Sequence, residues 1–135
     1  MRYLLDTDVL SELRRAHPNR GVQRWYESAS DATMHLSVMT IGEFRKGLAR
    51  LRRKDPERAA ALALWLDHLL VPYESRVLPI TPEIASVWGE LNDPDPLPII
   101  DAFIAATAIV HDMVLVTRNV EDFQRTGVRL LDPFE

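Results

Sequence analysis

Acidic side chains follow apolar segments of this chain at several points, and the first two stand close to its start. Tyr3, Leu4 and Leu5 form a short apolar run typical of a buried strand, and Asp6 and Asp8 follow within three residues. The residues after them recur at helical spacing, so these carboxylates occupy a strand-to-helix turn, where open α/β sheets bind ligands. Two carboxylates about 4 Å apart repel by about 4 kcal/mol at an effective dielectric of roughly 20, so we expect a positive group beside them.

Acids also stand near the ends of later predicted strands. Glu43 shares a helix face with Lys46 and Arg50, and it is either a site residue or a first-turn acid that favours the helix dipole. Asp101 is the only charge in PIIDAFIAATAIV, where it caps the helix, faces a site, or does both. The polar residues of Asn119–Asp122 follow another predicted strand and are either loop residues or further ligands.

These acids are expected to meet at one place. Because the carboxyl ends of parallel strands lie on one edge of a sheet, Asp6, Glu43, Asp101 and the Asn119–Asp122 group would converge there. Carboxylate oxygens and water are suitable ligands for Mg²⁺, with Mn²⁺ as a substitute. Such a metal ion activates water and neutralises charge on a phosphoryl group. The histidines have no zinc-site spacing, and the chain contains no cysteine.

The elements that would position these acids follow from apolar periodicity and capping residues. Strands are predicted over Tyr3–Leu5, Met34–Val38, Val77–Ile80, Met113–Thr117 and Val128–Leu131. Helices are predicted after Asp8, after a cap at Asn19, along Ile41–Leu51, over Glu57–Leu70, from Pro82 to Leu91 and over Ile99–Val110. Pro79 makes the third strand a candidate edge strand. Strands separated by helices predict an α/β fold with a parallel sheet covered on both faces.

Composition limits the classes of protein. A chain of 135 residues, 47% of them hydrophobic, is expected to fold as one domain, residues 1–135. No apolar stretch reaches the roughly 20 residues that span a bilayer, so we expect a cytoplasmic protein without membrane association. A net charge of −4 argues against binding nucleic acid through bulk charge. A local cluster can still contact RNA or form a solvated helix face: Arg45, Lys46, Arg50, Arg52, Arg53 and Lys54.

Four segments together resemble a known family. LLDTDVLSEL, SVMTIGEFRKGLARLR, LPIIDAFIAATA and VLVTRNVEDF stand in the order and spacing of PIN-domain proteins, and resemble most the VapC/FitB-like toxins of type II toxin–antitoxin systems. The resemblance implies a PIN-like three-layer α/β/α sandwich with a central parallel sheet. It further implies a metal-dependent endoribonuclease, a homodimer, and inhibition by a cognate VapB/FitA-like antitoxin, with which it can assemble into a larger complex.

The resemblance also suggests roles for the acids. Asp6, Glu43 and Asp101 match the family's acidic metal-site residues, and for the fourth position we favour Asp122, with Asn119 assisting. Asp6, Asp101 and Asp122 would hold Mg²⁺ directly or through water, while Glu43 would bind metal or orient the attacking water.

Other residues are given supporting roles. Thr7 and Thr117 are candidates for hydrogen bonds to the metal-bound groups or the scissile phosphate, or they satisfy turn backbone. Asp8 stands where such relatives often carry asparagine, and the additional carboxylate either raises metal affinity or caps the helix. Arg45, Lys46 and Arg50 are candidates for contact with RNA or antitoxin.

Two alternatives belong to other classes. LLDTDVL also resembles the first motif of haloacid-dehalogenase-type phosphatases, in which the first aspartate is the nucleophile. That family needs a later lysine and a Gly-Asp motif, but this chain has no lysine after Lys54 and no Gly-Asp pair. The other alternative is a non-catalytic PIN domain that only binds a partner, against which the intact acidic set argues.

Overall fold

The computed structural model describes residues 1–135 as five parallel strands connected by helices. The strands are β1 (Tyr3–Leu5), β2 (Met34–Ser37), β3 (Val77–Leu78), β4 (Val114–Val116) and β5 (Leu130–Leu131). The helices are α1 (Thr7–Leu13), α2 (Arg20–Ser28), α3 (Val38–Lys54), α4 (Pro56–Leu70), α5 (Pro82–Leu91), α6 (Ile99–Val110) and α7 (Val120–Phe123). Their spatial order in the sheet is β3-β2-β1-β4-β5, which puts β1 at the centre.

The sheet separates two apolar cores, because successive residues of a strand point to opposite faces. Leu4 and Leu115 pack on one face against α6 residues such as Ile104 and Ala105. Leu5 and Val116 pack on the other face with side chains of α1, α2 and the 3₁₀ turn Val71–Arg76. Helices thus cover both faces, which confirms the three-layer α/β/α sandwich with a central parallel sheet.

The helix starts are set by local chemistry that the sequence predicts correctly. The Asn19 side chain accepts hydrogen bonds from the N–H groups of Gly21 and Val22 and so caps α2. The Asp55 side chain caps α4 in the same way, with Pro56 in the first turn, and α3 and α4 pack together as a helical hairpin.

Several predicted boundaries are wrong by one to three residues. β2 ends at Ser37, because the Ser37 hydroxyl accepts a hydrogen bond from the Met39 N–H and starts α3 three residues before Ile41. β3 is limited to two residues before Pro79, and it lies at the edge of the sheet as predicted. The strand predicted over Met113–Thr117 is limited to β4, and that over Val128–Leu131 to β5.

The apolar helices have lengths and compositions that do not fit a bilayer. None of them is long and apolar enough to cross a membrane. The most apolar one, α6, packs with α5 and against the sheet, and half of its residues are buried.

Candidate active site

The structure places the predicted acids at the carboxyl edge of the sheet. Asp6 directly follows β1, and its N–H donates a hydrogen bond of 2.9 Å to the Val116 carbonyl at the end of β4. Glu43 lies on α3 after β2, and Asp101 lies in the first turn of α6. Asp122 lies on α7, a four-residue helix that the sequence does not predict. One N-cap position and three helices therefore bring together residues that are far apart in the sequence.

Asp6 is the most enclosed of these acids, with 4% of its surface exposed. One carboxylate oxygen accepts a hydrogen bond from the Thr7 N–H at 2.8 Å, and the other accepts one from the Thr117 hydroxyl at 2.7 Å. The Thr117 hydroxyl in turn accepts from the Asn119 N–H at 3.0 Å. The Thr117 hydroxyl therefore links a carboxylate to the backbone of the loop after β4.

Asp8 does not cap α1, because Asp6 occupies that position and Asp8 lies in the first turn. Its Oδ2 accepts a hydrogen bond of 3.0 Å from the Arg118 N–H and lies 3.4 Å from the Thr117 hydroxyl. Its Oδ1 is buried and has no hydrogen-bond partner. A buried carboxylate oxygen without a donor is costly, so this atom needs a positive or donating group that the protein does not supply.

Glu43 is held by a residue from another helix. Its Oε1 accepts a hydrogen bond of 2.6 Å from the Thr7 hydroxyl, 36 residues earlier in the chain. Because α3 begins at Val38, Glu43 lies in the second turn, so the reading as a first-turn acid is wrong. Glu43 also forms no ion pair with Lys46. Thr7 therefore contacts Asp6 through its backbone and Glu43 through its side chain.

Asp101 is half-buried and is not the residue that caps α6, since Pro98 occupies that position. Its side chain accepts no hydrogen bond and forms no salt bridge. Asp122 is exposed and lines an open cleft of about 570 Å³ together with Arg118, Asn119, Glu121 and Asp132. Asn119 is the N-cap residue of α7, but its side chain makes no capping hydrogen bond. The structure thus leaves both Asn119 and Asp122 free to approach a ligand.

Burial and mutual repulsion alter the acidity of this cluster. Burial, the neighbouring Asp8 charge and the Asp101 charge together raise the pKa of Asp6 from 3.8 to about 7, against the lowering effect of the Thr117 and Thr7 hydrogen bonds. Burial also raises the pKa of Asp8. Burial and the charges of Glu43, Asp122 and Asp8 raise the pKa of Asp101. The negative charges of these carboxylates raise one another's pKa values, and no positive side chain pairs with them.

The donor set fits a hard divalent cation. The candidates are carboxylate oxygens, one of them the orphaned Oδ1 of Asp8, and such ligands suit Mg²⁺ or Mn²⁺ better than Zn²⁺. As the side chains stand, no three His, Asp or Glu residues are arranged as a complete metal-binding group. The donors present can supply some of a cation's ligands, with water supplying others.

The basic residues of α3 divide into two groups. Lys46 and Arg50 line an open pocket of about 320 Å³ with Glu43, as their helical spacing predicts. Gly47 also lines this pocket, and a Cβ there would meet no atom of a neighbouring element within 4 Å. Arg45 instead forms a 2.9 Å salt bridge with Asp67 on α4 and does not line this pocket.

The position of Arg118 and an apolar groove are two features of the site that the sequence does not predict. Arg118 is attached to the site through its N–H bond to Asp8, and no spacing in the sequence signals this contact across 110 residues. A groove of about 440 Å³ lies between α1, α3 and α4, with Thr7 and Glu43 at one end. Its walls carry apolar residues and two arginines: Phe44, Leu48, Leu51, Leu62, Trp65, Leu66, Arg14 and Arg58. The apolar spacing of α3 and α4 predicts the two helices but not a groove between them and α1.

The chain matches known proteins over nearly its whole length. A family model described as PIN domain matches residues 3–128. The chain is 30% identical to VapC ribonuclease Y4jK of Sinorhizobium fredii over 138 residues, which cover 98% of this chain and 97% of the relative. It is 29% identical to Toxin FitB of Neisseria gonorrhoeae, with 97% of each chain covered.

Solved structures agree with the sequence comparison. The FitAcB structure from Neisseria gonorrhoeae superposes with a TM-score of 0.88 at 29% identity and covers 97% of both chains. VapBC2 from Rickettsia felis, bound to a promoter DNA fragment, superposes with a TM-score of 0.75 at 23% identity over 97% of this chain and 98% of that one, which supports the fold. The chain therefore belongs to the PIN-domain family and is a protein of its VapC/FitB-like group.

Proposed function

We propose that this PIN-domain protein, acting as one domain over residues 1–135, is a Mg²⁺-dependent endoribonuclease toxin of a type II toxin–antitoxin system. The observation that carries the proposal is the cluster of unneutralised carboxylates around Asp6 at the carboxyl edge of the sheet. The relatives named as VapC ribonucleases support RNA as the substrate. Mn²⁺ is expected to substitute for Mg²⁺ because both prefer oxygen ligands.

Each residue has a role in this proposal. Asp6, Asp101 and Asp122 would hold the cation directly or through water, with Asn119 as an assisting polar group. When bound, the cation supplies an activated water and neutralises charge on the scissile phosphate. Thr117 fixes the Asp6 carboxylate through its 2.7 Å hydrogen bond, and Thr7 fixes Glu43 through its 2.6 Å bond. Glu43, thus oriented, would bind metal or accept the proton of the attacking water.

Substrate binding requires cations beside this acidic edge. Lys46 and Arg50 share a pocket with Glu43 and have no acidic partner, so they can contact RNA phosphates next to the carboxylates. Arg45, by contrast, is engaged with Asp67 and is assigned to the α3–α4 contact rather than to RNA. Because the chain lacks cysteine, which a reducing compartment readily permits, we propose that it acts in the cytoplasm.

The proposed protein partner is a VapB/FitA-like antitoxin. One structure with which this chain superposes is described as a toxin–antitoxin complex from Klebsiella pneumoniae. The apolar groove between α1, α3 and α4 can accept an apolar segment of such a partner and leads to Thr7 and Glu43, so an occupant would block the site. A homodimer, assembled with antitoxin into a larger complex, completes the proposal. Leu64, Val71 and Ile99 are exposed apolar residues available for such contacts.

The phosphatase alternative lacks the other residues that it needs. The chain has no lysine after Lys54 and no Gly-Asp pair, so the groups that would assist a nucleophilic Asp6 are missing.

The test is cleavage of a structured RNA pool by purified, antitoxin-free protein with Mg²⁺, Mn²⁺ or EDTA. Asp6→Asn and Asp101→Asn should each lower the cleavage rate by about a hundredfold or more, as the loss of an electrostatic catalytic group typically does. Asp112→Asn is the matched control, because it removes one exposed carboxylate before β4, at the opposite edge. RNA that stays intact with folded wild-type protein would support the non-catalytic alternative, and hydrolysis of a generic phosphate ester instead would support the phosphatase.

A further inference from the structure

The cleft beside Asp122 contains an arginine that the fold holds in an unusual way. The Arg118 guanidinium lies over the ring of Phe134, 4.8 Å from its centroid, and donates no hydrogen bond to another protein group. Several other arginines at the surface are engaged: Arg24 pairs with Glu135, Arg129 pairs with Asp112, and Arg125 bonds to main-chain carbonyls, whereas Arg50 is unpaired like Arg118. Arg118 is therefore a cation with all its side-chain donors free.

The acidic residues of the cleft form no salt bridge with the Arg118 guanidinium. Glu121, Asp122 and Asp132 line the same cleft, and Asp8 accepts a hydrogen bond from the Arg118 main chain. None of them lies within salt-bridge distance of the guanidinium. The cation–π contact with Phe134 holds the side chain away from these acids and keeps its planar fork open to the cleft.

The Phe134 ring is itself fixed by its own segment. The Phe134 N–H donates to Asp132 at 3.0 Å, and Asn19 both donates to the Glu135 carbonyl at 3.0 Å and accepts from its N–H at 3.1 Å. A Cβ on Gly21 would lie 2.3 Å from the Pro133 carbonyl, so only glycine permits this close approach. These contacts hold the segment over residues 132–135 against the start of α2, so the Phe134 ring that Arg118 contacts has a fixed position.

We propose that Arg118, supported by Phe134, binds a phosphate of the RNA strand beside the one that is cut. The inference rests on the proposed function. Arg118 follows β4, whereas Lys46 and Arg50 lie on α3 after β2, so the cations flank the central strand β1 and its Asp6. A strand that crosses the carboxylates would then meet a positive side chain on either side, and a free guanidinium fork suits a phosphate group.

The test separates phosphate binding from a merely structural role. Binding of a short fluorescent single-stranded RNA is measured by anisotropy in Mg²⁺ over a range of salt concentrations, on an Asp101→Asn background that prevents cleavage. Arg118→Ala should weaken binding about fivefold and lower the slope of log K against log salt by about 0.7, the value for one phosphate contact on a single strand. Arg118→Lys should keep the slope, because it keeps the charge.

Variants of Phe134 test the support. Phe134→Tyr should bind RNA as the parent does, and Phe134→Leu should weaken binding about twofold to threefold, because it keeps apolar volume but loses the ring face. Arg129→Ala, which removes a positive charge beside Asp112 at the opposite edge, is the control and should bind RNA normally. In cleavage-competent protein, Arg118→Ala should raise KM and leave kcat nearly unchanged.

The outcomes are distinguishable. Equal affinity and equal salt slope for Arg118→Ala and Arg129→Ala would overturn the phosphate contact while metal-dependent cleavage by the wild type still supported the nuclease. A fall in kcat and melting temperature without a change in slope would show a structural role and also overturn it. If the folded wild type neither binds nor cuts RNA, the proposed function fails, and the inference about Arg118 fails with it.

Discussion

Charged side chains are paired at the edge where the strands of the central sheet begin and unpaired at the edge where they end. At the edge where β4 begins, Arg129 pairs with Asp112 at 2.8 Å and Arg2 donates to the His111 carbonyl at 2.6 Å. At the carboxyl edge, Asp6 and Asp101 form no salt bridge. Burial and neighbouring negative charges raise the pKa of both carboxyl groups. Cations and anions are matched at the first edge and left unmatched at the second. The carboxyl edge thus keeps like charges together at a cost in stability, which the proposed cation would offset.

Of the variants that would reduce this difference between the two edges, one that removes the Asp6 charge should have the largest effect on stability. The folded protein holds the Asp6 proton up to a pKa of about 7, against 3.8 for the ordinary group, so stability present below about pH 4 is lost as the pH rises to about 7. A shift of this size corresponds to at most about 4 kcal/mol. Asp6→Asn should therefore raise the free energy of unfolding at pH 8 and flatten its pH dependence. Urea unfolding at pH 5 and pH 8 measures both effects.

A control removes an acid from the matched edge. Asp112→Asn should change the free energy of unfolding equally little at both pH values, because the pair with Arg129 is exposed. A wild-type protein that became more stable between pH 5 and pH 8 would contradict the assignment of repulsion to the carboxyl edge.

Adding the missing charge should sharpen the contrast in the other direction. A cation that binds only the folded state stabilises it by about 2.7 kcal/mol at a hundredfold excess over its dissociation constant. Mn²⁺ or Mg²⁺ should therefore raise the melting temperature more at pH 8 than at pH 5, because protonated carboxylates bind metal poorly. Differential scanning calorimetry with and without EDTA measures the shift, and Asp101→Asn should reduce it. An equal shift in the wild type and in Asp101→Asn would place the cation elsewhere.

A smaller effect is expected from the hydrogen bond that links two elements of the site. Thr7→Val removes the donor to Glu43 and should destabilise the fold by about 1–2 kcal/mol, since it leaves a partly buried carboxylate without its partner. Thr7→Ser keeps the hydroxyl and is the matched control. Chemical denaturation compares the two variants, and cleavage assays should show a loss for valine alone. Equal stability of both variants would mean that water replaces the hydroxyl.

The smallest effect should come from the matched edge itself. Arg129→Ala breaks an exposed pair and should change the free energy of unfolding by less than about 1 kcal/mol, because solvent screens such pairs. Thermal unfolding at low and high salt checks this expectation. A loss above that size, insensitive to salt, would show that Arg129 acts through its other bond, to the Asp112 carbonyl.

Much of the carboxyl edge can be predicted from sequence, because strands and helices leave periodic patterns and acids in apolar surroundings are conspicuous. Asp101 is visible as the only charge of an apolar helix, and Asp6 as the first polar residue after a buried strand. Their convergence follows from parallel topology alone. The same reasoning explains why Lys46 and Arg50 were correctly placed beside Glu43.

The remaining features depend on contacts that no local pattern encodes. The Thr7–Glu43 bond joins two helices, and α4 draws Arg45 away from the site through Asp67. The helix α7 has only four residues and no side-chain cap, so neither periodicity nor capping announces it. Arg118 owes its position to Phe134, in a segment that periodicity leaves unassigned.

The central place of β1 has a consequence for the order in which the chain is made. β1 is synthesised first, but β4, one of its two neighbours, is made more than a hundred residues later, as is Thr117, which holds the Asp6 carboxylate. A nascent chain that has reached α4 carries Asp6 and Glu43 but neither Asp101 nor Asp122. The acidic cluster is therefore assembled only at a late stage of translation, after the last of its acids, Asp122, has been made.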